Sequence, residues 1–291
     1  MKPAPFEYHR PATVGEAAEM LAALGDDAKV LAGGQSLVPL LSMRLAVVSH
    51  LIDIGRLDDL TGIERRDGAL WVGAGTTEAA VGSSAEVAGA APLLAGATPF
   101  IGHLQIRNRG TVGGSIAHAD PAAEYPAVAL ALDAEMEAVS HRGPRIIPAA
   151  DFFTGLWSTA LDHDELLVGI RLPVWTGRSG FAVREIARRH GDFAIAGAAV
   201  GVELDADDRV RRSAIALFGL GSTPLRATAA ELEARGRTVA EISADELGRL
   251  AVTDLDSVPS DMHGPATYRT RVGAAMVARA WTAASNEAGN G

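Results

Sequence analysis

The sequence predicts an α+β fold: a small α/β unit at the N-terminus and an antiparallel sheet packed by helices at the C-terminus. Two observations predict it. Residues 1–55 read β-α-β-loop-α-β, with short apolar strands separated by a capped helix and a glycine loop. From residue 181 onward, strands come in succession and helices then come in succession. That order segregates helices onto an antiparallel sheet.

Residues 6–11 read as a short edge strand. Thr13 opens a helix and Glu16 stands three residues on, the spacing of a capping box. Val14, Ala17, Leu21 and Leu24 give the apolar stripe, and Gly25 ends it. Residues 29–32 form a buried strand that runs straight into Gly33-Gly34. A helix starts at Ser36, where Pro39 is tolerated because first-turn amides have no intrahelical partner. Residues 50–54 are the next strand.

Asp67-Gly68 is a hairpin signal before a strand at 69–74. Helical stretches follow from Thr76 or Thr77 and over 85–94, the second stopped near Pro99. The spacing leaves 102–120 as loop and predicts a helix over 121–132, capped by Asp120. Residues 135–139 alternate as a half-exposed strand, Gly143-Pro144 turns the chain, and 166–172 is another strand. Residues 175–180 read as a linker between a domain over 1–176 and one over 177–291. Beyond it lie strands at 181–187, 194–203 and 210–220, then helices at 228–235, 244–252 and 266–284.

With 291 residues and 48% hydrophobic content, the chain can bury two sizeable cores. A net charge of −10 argues against nucleic acid as a partner, which would favour a basic face. The absence of cysteine excludes disulfides, thiol nucleophiles and a self-ligated iron–sulfur cluster. No apolar leader opens the chain, and the best membrane candidate, residues 87–102, is short and holds two prolines. A cytoplasmic location is expected.

The densest stretch is GHLQIRNRGTVGGSIAHAD at 102–120. Its Thr111-Val112-Gly113-Gly114-Ser115 run matches the upstream Ala32-Gly33-Gly34-Gln35-Ser36 in pattern: a small residue, two glycines, then polar groups. One such pair is usually a tight turn. Two of them suggest loops that converge on a single anionic ligand, with backbone N–H groups turned towards it. A side chain at Gly114 would then fill the phosphate path. Arg107 and Arg109 flank Asn108 beside the second loop. They serve either as charge support for a diphosphate or as ion pairs with the chain's many acids.

Other chemistries lack their signatures. There is no GxxxxGK[ST], no GxGxxG opening a βαβ unit, no HExxH and no GxSxG. His118-Ala119-Asp120 offers metal-ligand types, but Asp120 is better read as an acceptor for a ligand hydroxyl or a helix N-terminus, with His118 behind it. No metal and no acid–base residue is nominated.

The segments LAGGQSLVPLLSMRLAVVSHLIDIGRL (31–57) and IGHLQIRNRGTVGGSIAHADPAAEYPAVALALDAEME (101–137) carry a family resemblance, supported by ELLVGIRLP (165–173) and GDFAIAGAAV (191–200). The sequence resembles the FAD-binding medium subunits of the molybdenum hydroxylases, of the aerobic carbon monoxide dehydrogenase and xanthine dehydrogenase type, and of bacterial nicotine or ketone dehydrogenases. The resemblance implies a FAD-binding domain of the vanillyl-alcohol-oxidase/PCMH type in two α/β subdomains, roughly 1–55 and 56–176, followed by a C-terminal antiparallel sheet with helices.

It further implies that the anionic ligand is the pyrophosphate of FAD. The cofactor contacts would be Ala32, Gly33, Gly34, Gln35 and Ser36, then Thr111, Val112, Gly113, Gly114 and Ser115, with Asp120, Leu167 and Arg184 as further positions. Gln35 stands where the family often has His, and Phe193 where Tyr is common in GD[YF]A. The resemblance implies partners too: a large subunit with the molybdenum cofactor and a small [2Fe–2S] subunit, assembled as a dimer of heterotrimers. FAD would accept electrons from the clusters and pass them to an external acceptor. The rival readings are a self-sufficient FAD-dependent oxidase of the same superfamily and a noncatalytic nucleotide-binding module.

Overall fold

The computed structural model describes residues 2–291. The chain opens with a parallel three-stranded sheet in the order β1-β3-β2, made of β1 (Glu7–His9), β2 (Ala28–Leu31) and β3 (His50–Asp53). Helix α1 (Val14–Leu24) crosses from β1 to β2, and α2 (Leu37–Ser42) from β2 to β3. Thr13 caps α1 by accepting from the Glu16 amide at 3.1 Å. Glu16 reaches back to the Ala12 amide at 2.6 Å, one residue earlier than a full capping box requires.

The second sheet is antiparallel, in the order β4-β5-β10-β6-β7. It comprises β4 (Ile63–Arg66), β5 (Ala69–Gly73), β6 (Glu135–Ser140), β7 (Gly143–Pro148) and β10 (Leu166–Pro173), with a small ribbon of β8 (Phe153–Gly155) and β9 (Ser158–Thr159) beside it. Asp67 and Gly68 both have positive φ, 49° and 78°, which is the two-residue hairpin their sequence predicts.

Between β5 and β6 lie α3 (Glu78–Ser83), α4 (Ala85–Ala90), α5 (Pro92–Ala97), α6 (Leu104–Arg107), α7 (Val112–His118) and α8 (Glu124–Ala131); α9 (Ala149–Phe152) follows β7. Three sequence expectations fail here for local reasons. The 85–94 helix is two helices, because Pro92 lacks the amide to continue the first and opens the second. The 102–120 segment is not all loop: Thr111 caps α7 despite the glycine pair inside it. The helix expected over 121–132 starts at Glu124, with Ala123 at its cap. Asp120 instead closes a turn onto the Ala122 amide at 2.9 Å.

The C-terminal sheet, β11 (Arg178–Ile186), β12 (Ala196–Leu204), β13 (Val210–Phe218) and β14 (Leu225–Arg226), is antiparallel throughout. Its first strand begins inside the stretch read as a linker. One face packs with α5 and α8 into the core of the second sheet, and the other packs under α10 (Thr228–Ala234), α11 (Ala244–Ala251) and α12 (Ala266–Asn290). All nine residues of β12 are buried. A side chain at Gly180 would overlap the Ala284 carbonyl of α12, so glycine sets how closely helix and sheet approach. Among the described residues no helix is long and apolar enough to cross a membrane.

Arg269 of α12 is 4% exposed and joins loops that face the rest of the molecule. It donates to the Ile195 and Gly219 carbonyls at 2.6 and 3.1 Å and to both Asp261 oxygens at 2.8 and 2.7 Å. Gly219 in turn donates to the Pro121 carbonyl at 2.7 Å. Arg269→Ala should therefore cost about 2–4 kcal/mol by orphaning two buried carbonyls and losing a charge-assisted pair. Calorimetry should show a melting point lower by several degrees; a shift under about 1 °C would contradict this role.

Candidate functional site

The first glycine loop leaves the C-terminal end of β2, whose last ladder bond is Ile54 N–H to the Leu31 carbonyl at 3.0 Å. Gly34 has φ 75°, a conformation an L side chain resists. Gln35 folds back and donates from Nε2 to the Gly33 carbonyl at 3.1 Å. Ser36, at the start of α2, makes no side-chain cap bond. Among the described residues, no protein acceptor serves the amides of residues 33–37. A run of half-exposed, unpaired N–H groups is a site for an anion, since buried donors are ordinarily satisfied.

The second loop differs. Val112 N–H donates to the Thr76 carbonyl at 3.0 Å, Gly113 N–H to Ala74 at 2.8 Å, and Gly114 N–H to Thr111 Oγ1 at 3.0 Å. Its amides are spent inside the protein. Val112 is fully buried in the core and Gly113 is buried against Ala74, leaving Gly114 and Ser115 as the half-exposed surface. A Cβ on Gly114 would meet Thr111 Oγ1 at 2.8 Å and Ala32 Cβ at 3.7 Å. Within the protein, the nearest obstacle to such a side chain is thus the helix cap.

The two loops share one cleft. A side chain on Gly33 would overlap the Arg109 carbonyl and lie 2.9 Å from the Gly110 Cα. Gly33 is glycine because the backbone of the second segment passes there. This contact and the one from Gly114 to Ala32 bring residues 32–36 and 111–115 together.

The remaining expected positions sit less directly. Arg107 makes no ion pair among the described residues; it donates to the Ile101 and Gly102 carbonyls at 2.9 and 3.0 Å and braces the bend before α6. Arg109 is exposed, and it is its carbonyl that meets the first loop. Asp120 also accepts from Trp157 Nε1 at 3.3 Å. Burial lowers the pKa of His118, against the opposing pull of Asp120. Leu167 is buried in the core beside a bulge in β10, and its neighbour Val168 accepts from the Ala74 amide at 2.9 Å. Arg184 projects from β11, donates to the Val183 carbonyl at 2.8 Å, and makes no hydrogen bond to either glycine loop.

The C-terminal half reaches this region through residues 190–193. Gly191, with φ 77°, packs its Cα against the Gly102 carbonyl and the His103 ring, and His103 and His190 lie 6.4 Å apart between centroids. Phe193 is 65% exposed on the same loop, a large apolar face turned to solvent.

Sequence reasoning missed three acids. Glu78 lies under Gly110: its amide donates to the Gly110 carbonyl at 2.9 Å, and its carboxyl occupies the space a Gly110 side chain would need. Burial raises it to about 7, with Arg107 opposing, and Oε2 has no partner among the described residues. Glu124 is raised to about 8, by burial first and then by Glu185. Burial raises Glu185 to about 7, and its Oε2 is also unpartnered. Nothing in the sequence marks Glu78 or Glu124 apart from ordinary first-turn helix acids.

Comparison with known proteins decides the family. The profile described as "FAD binding domain in molybdopterin dehydrogenase" matches residues 4–175, and that of the "CO dehydrogenase flavoprotein C-terminal domain" matches 181–284. The chain belongs to the FAD-binding medium subunits of the molybdenum hydroxylases. It is 42% identical to the 6-hydroxypseudooxynicotine dehydrogenase complex subunit alpha of Paenarthrobacter nicotinovorans, over 96% of this chain and 94% of that one. It is 38% identical to the carbon monoxide dehydrogenase medium chain of Hydrogenophaga pseudoflava, over 98% of both. A chain in a solved structure of that organism's carbon monoxide dehydrogenase superposes with TM-score 0.95 at 39% identity, covering 99% of each chain. A chain of quinoline 2-oxidoreductase from Pseudomonas putida 86 gives 0.92 at 35%, again covering 99% of each. The matched domain over residues 4–175 is described as FAD-binding, and the unpaired amides of residues 33–37 beside the second segment are donors of the kind that a pyrophosphate accepts from.

Two predictions test this geometry. Gly33→Ala should force the loops apart and cut FAD retention at least about tenfold, whereas Gly89→Ala, whose side chain would meet nothing, should leave it unchanged. Full flavin occupancy in Gly33→Ala would contradict the shared cleft. The raised carboxyls give the second. In the unfolded chain Glu124 ionises near its ordinary 4.5, so stability is greatest below that pH and falls as pH rises towards the folded value of about 8. Glu124→Gln should flatten that decline, raising the melting point at pH 8 by roughly 2–4 °C for each kcal/mol relieved and by little at pH 4.5. An equal shift at both pH values would count against a neutral buried acid.

Proposed function

We propose that residues 32–36 and 111–115 hold the FAD pyrophosphate between them, and that the chain relays electrons within a molybdenum-dependent dehydrogenase. The unpaired amides of residues 33–37, beside a segment whose Val112, Gly113 and Gly114 amides are spent inside the protein, carry this reading. In it the first loop supplies the donors and the second supplies shape, through Gly114, Ser115 and the Thr111 cap. Asp120 and Arg184 are proposed as outlying cofactor contacts, and Leu167 as a contact made through its backbone. Phe193 is proposed as an apolar platform for the flavin ring; stacking needs the ring alone, so the missing Tyr hydroxyl does not remove it.

Bound FAD supplies the redox chemistry, and the protein sets its position and surroundings. Glu78, raised to about 7 by burial, shares its population between the protonated and charged forms near pH 7, directly under Gly110. We further propose a FAD domain over 1–176, split near 55, and a C-terminal domain over 177–291. The partners would be a large molybdenum-cofactor subunit and a small [2Fe–2S] subunit in a dimer of heterotrimers, located in the cytoplasm. Relatives described as a dehydrogenase complex subunit and as medium chains support an assembly of this kind. The lack of cysteine fits it, because any cluster must belong to another chain.

The purified chain alone should be yellow, with noncovalent FAD, and should show no substrate-dependent flavin bleaching. The complete complex should bleach on adding its substrate under anaerobic conditions. Rapid bleaching of the isolated chain by that substrate would overturn the relay in favour of a self-sufficient oxidase.

A further inference from the structure

We propose that Glu7, His9 and His50 form a site for a divalent, borderline-soft cation such as zinc(II), which clips the N-terminal edge strand to the middle of the first sheet. Side chains two residues apart on a strand share a face, so Glu7 and His9 point the same way. Glu7 lies opposite His50 in the parallel register, which places all three on one face of the β1–β3 pair.

Their donor atoms converge. His9 Nε2 and His50 Nδ1 are 3.1 Å apart, and Glu7 Oε2 is 3.6 Å from His50 Nδ1 and 4.0 Å from His9 Nε2. A tetrahedral ion with metal–ligand distances near 2.0–2.1 Å spaces its donors by about 3.4 Å. The three observed separations bracket that value. The two imidazole nitrogens must part by roughly 0.3 Å and Glu7 must close on His9 by roughly half an ångström, and Glu7 is exposed and free to swing. The two imidazole centroids are 5.2 Å apart at 45°, and rings sharing one tetrahedral ion would lie about 5 Å apart. Two imidazoles and one carboxylate leave a fourth position for water, the donor set that suits zinc among the common divalent cations.

The local fold gives such an ion a task. β1 is three residues long and forms the sheet's edge, held by the ladder to β3 and by the Tyr8 hydroxyl, which donates to Asp53 of β3. The first glycine loop leaves from β2 on the opposite edge, so filling the site stabilises the subdomain without entering the cofactor cleft. Neither ring's outer nitrogen meets an acceptor among the described residues, so binding should be weaker than in a closed four-ligand site. The rival account of the same atoms is a hydrogen bond between the two histidines. In it Glu7 is an ion-pair partner for whichever ring is protonated, and no response to metal is predicted.

The test uses tag-free, FAD-loaded chain, treated with chelator, desalted and titrated with zinc chloride by calorimetry. One zinc per chain should bind, and His9→Gln and His50→Gln should each weaken it about tenfold or more. Zinc should raise the melting point of the wild type and of neither variant, with flavin content the same in all three. Zinc binding that is absent in the wild type, or unchanged in both variants, would overturn the proposal. So would a melting point that drops in His9→Gln but never responds to zinc in the wild type, which is the hydrogen-bond outcome. Should His50→Gln fail to fold, His9→Gln on the edge strand decides alone.

Discussion

The approach of Gly33 to the backbone at Arg109 and Gly110 is the constraint on which the cleft depends. Residues far apart in the chain meet there without any side chain between them. The approach seats the first loop against the second segment and leaves its amides facing outward. The second segment is anchored from behind: Val112 and Gly113 bond to Thr76 and Ala74, and Glu78 bonds to Gly110. Ala74 is tied to Val168 of β10, so the wall is an extension of the five-stranded sheet. One loop is therefore rigid because its hydrogen bonds are complete. The other carries amides that have no protein acceptor among the described residues.

The buried acids give the same region a second character. Glu78 and Glu124 are desolvated more than they are paired; near neutrality Glu124 mostly holds its proton and Glu78 is about half protonated. A charged carboxylate under Gly110 would oppose an anion nearby, so the upward shift of Glu78 lessens the charge at this position. Arg107, held by two carbonyls, offsets the remaining charge without entering the cleft.

Much of this was legible in the sequence because it rests on short-range rules. The strand before Gly33, the hairpin at Asp67-Gly68 and the cap at Thr13 each follow from a few adjacent residues. The paired glycines identified the loops, but not why they are glycine. Gly33 and Gly113 make room for protein backbone, and that is a property of the tertiary contact alone. The α7 helix was hidden because Gly-Gly lowers helix propensity while the Thr111 cap and the bonds to Ala74 and Thr76 override it. Asp120 was read as a helix cap because it precedes Pro121; a turn onto Ala122 intervenes. Glu78 and Glu124 occupy positions where exposed acids are routine, and only the packing above them buries both.

The most direct measurement is amide hydrogen exchange, read residue by residue, with and without FAD. The account predicts that Val112, Gly113 and Gly114 exchange slowly in both states, because their bonds are internal. It predicts that residues 33–37 exchange fast without FAD and slow sharply once it binds. Fast exchange at 33–37 in fully flavin-loaded protein would contradict the assignment of those amides to the cofactor.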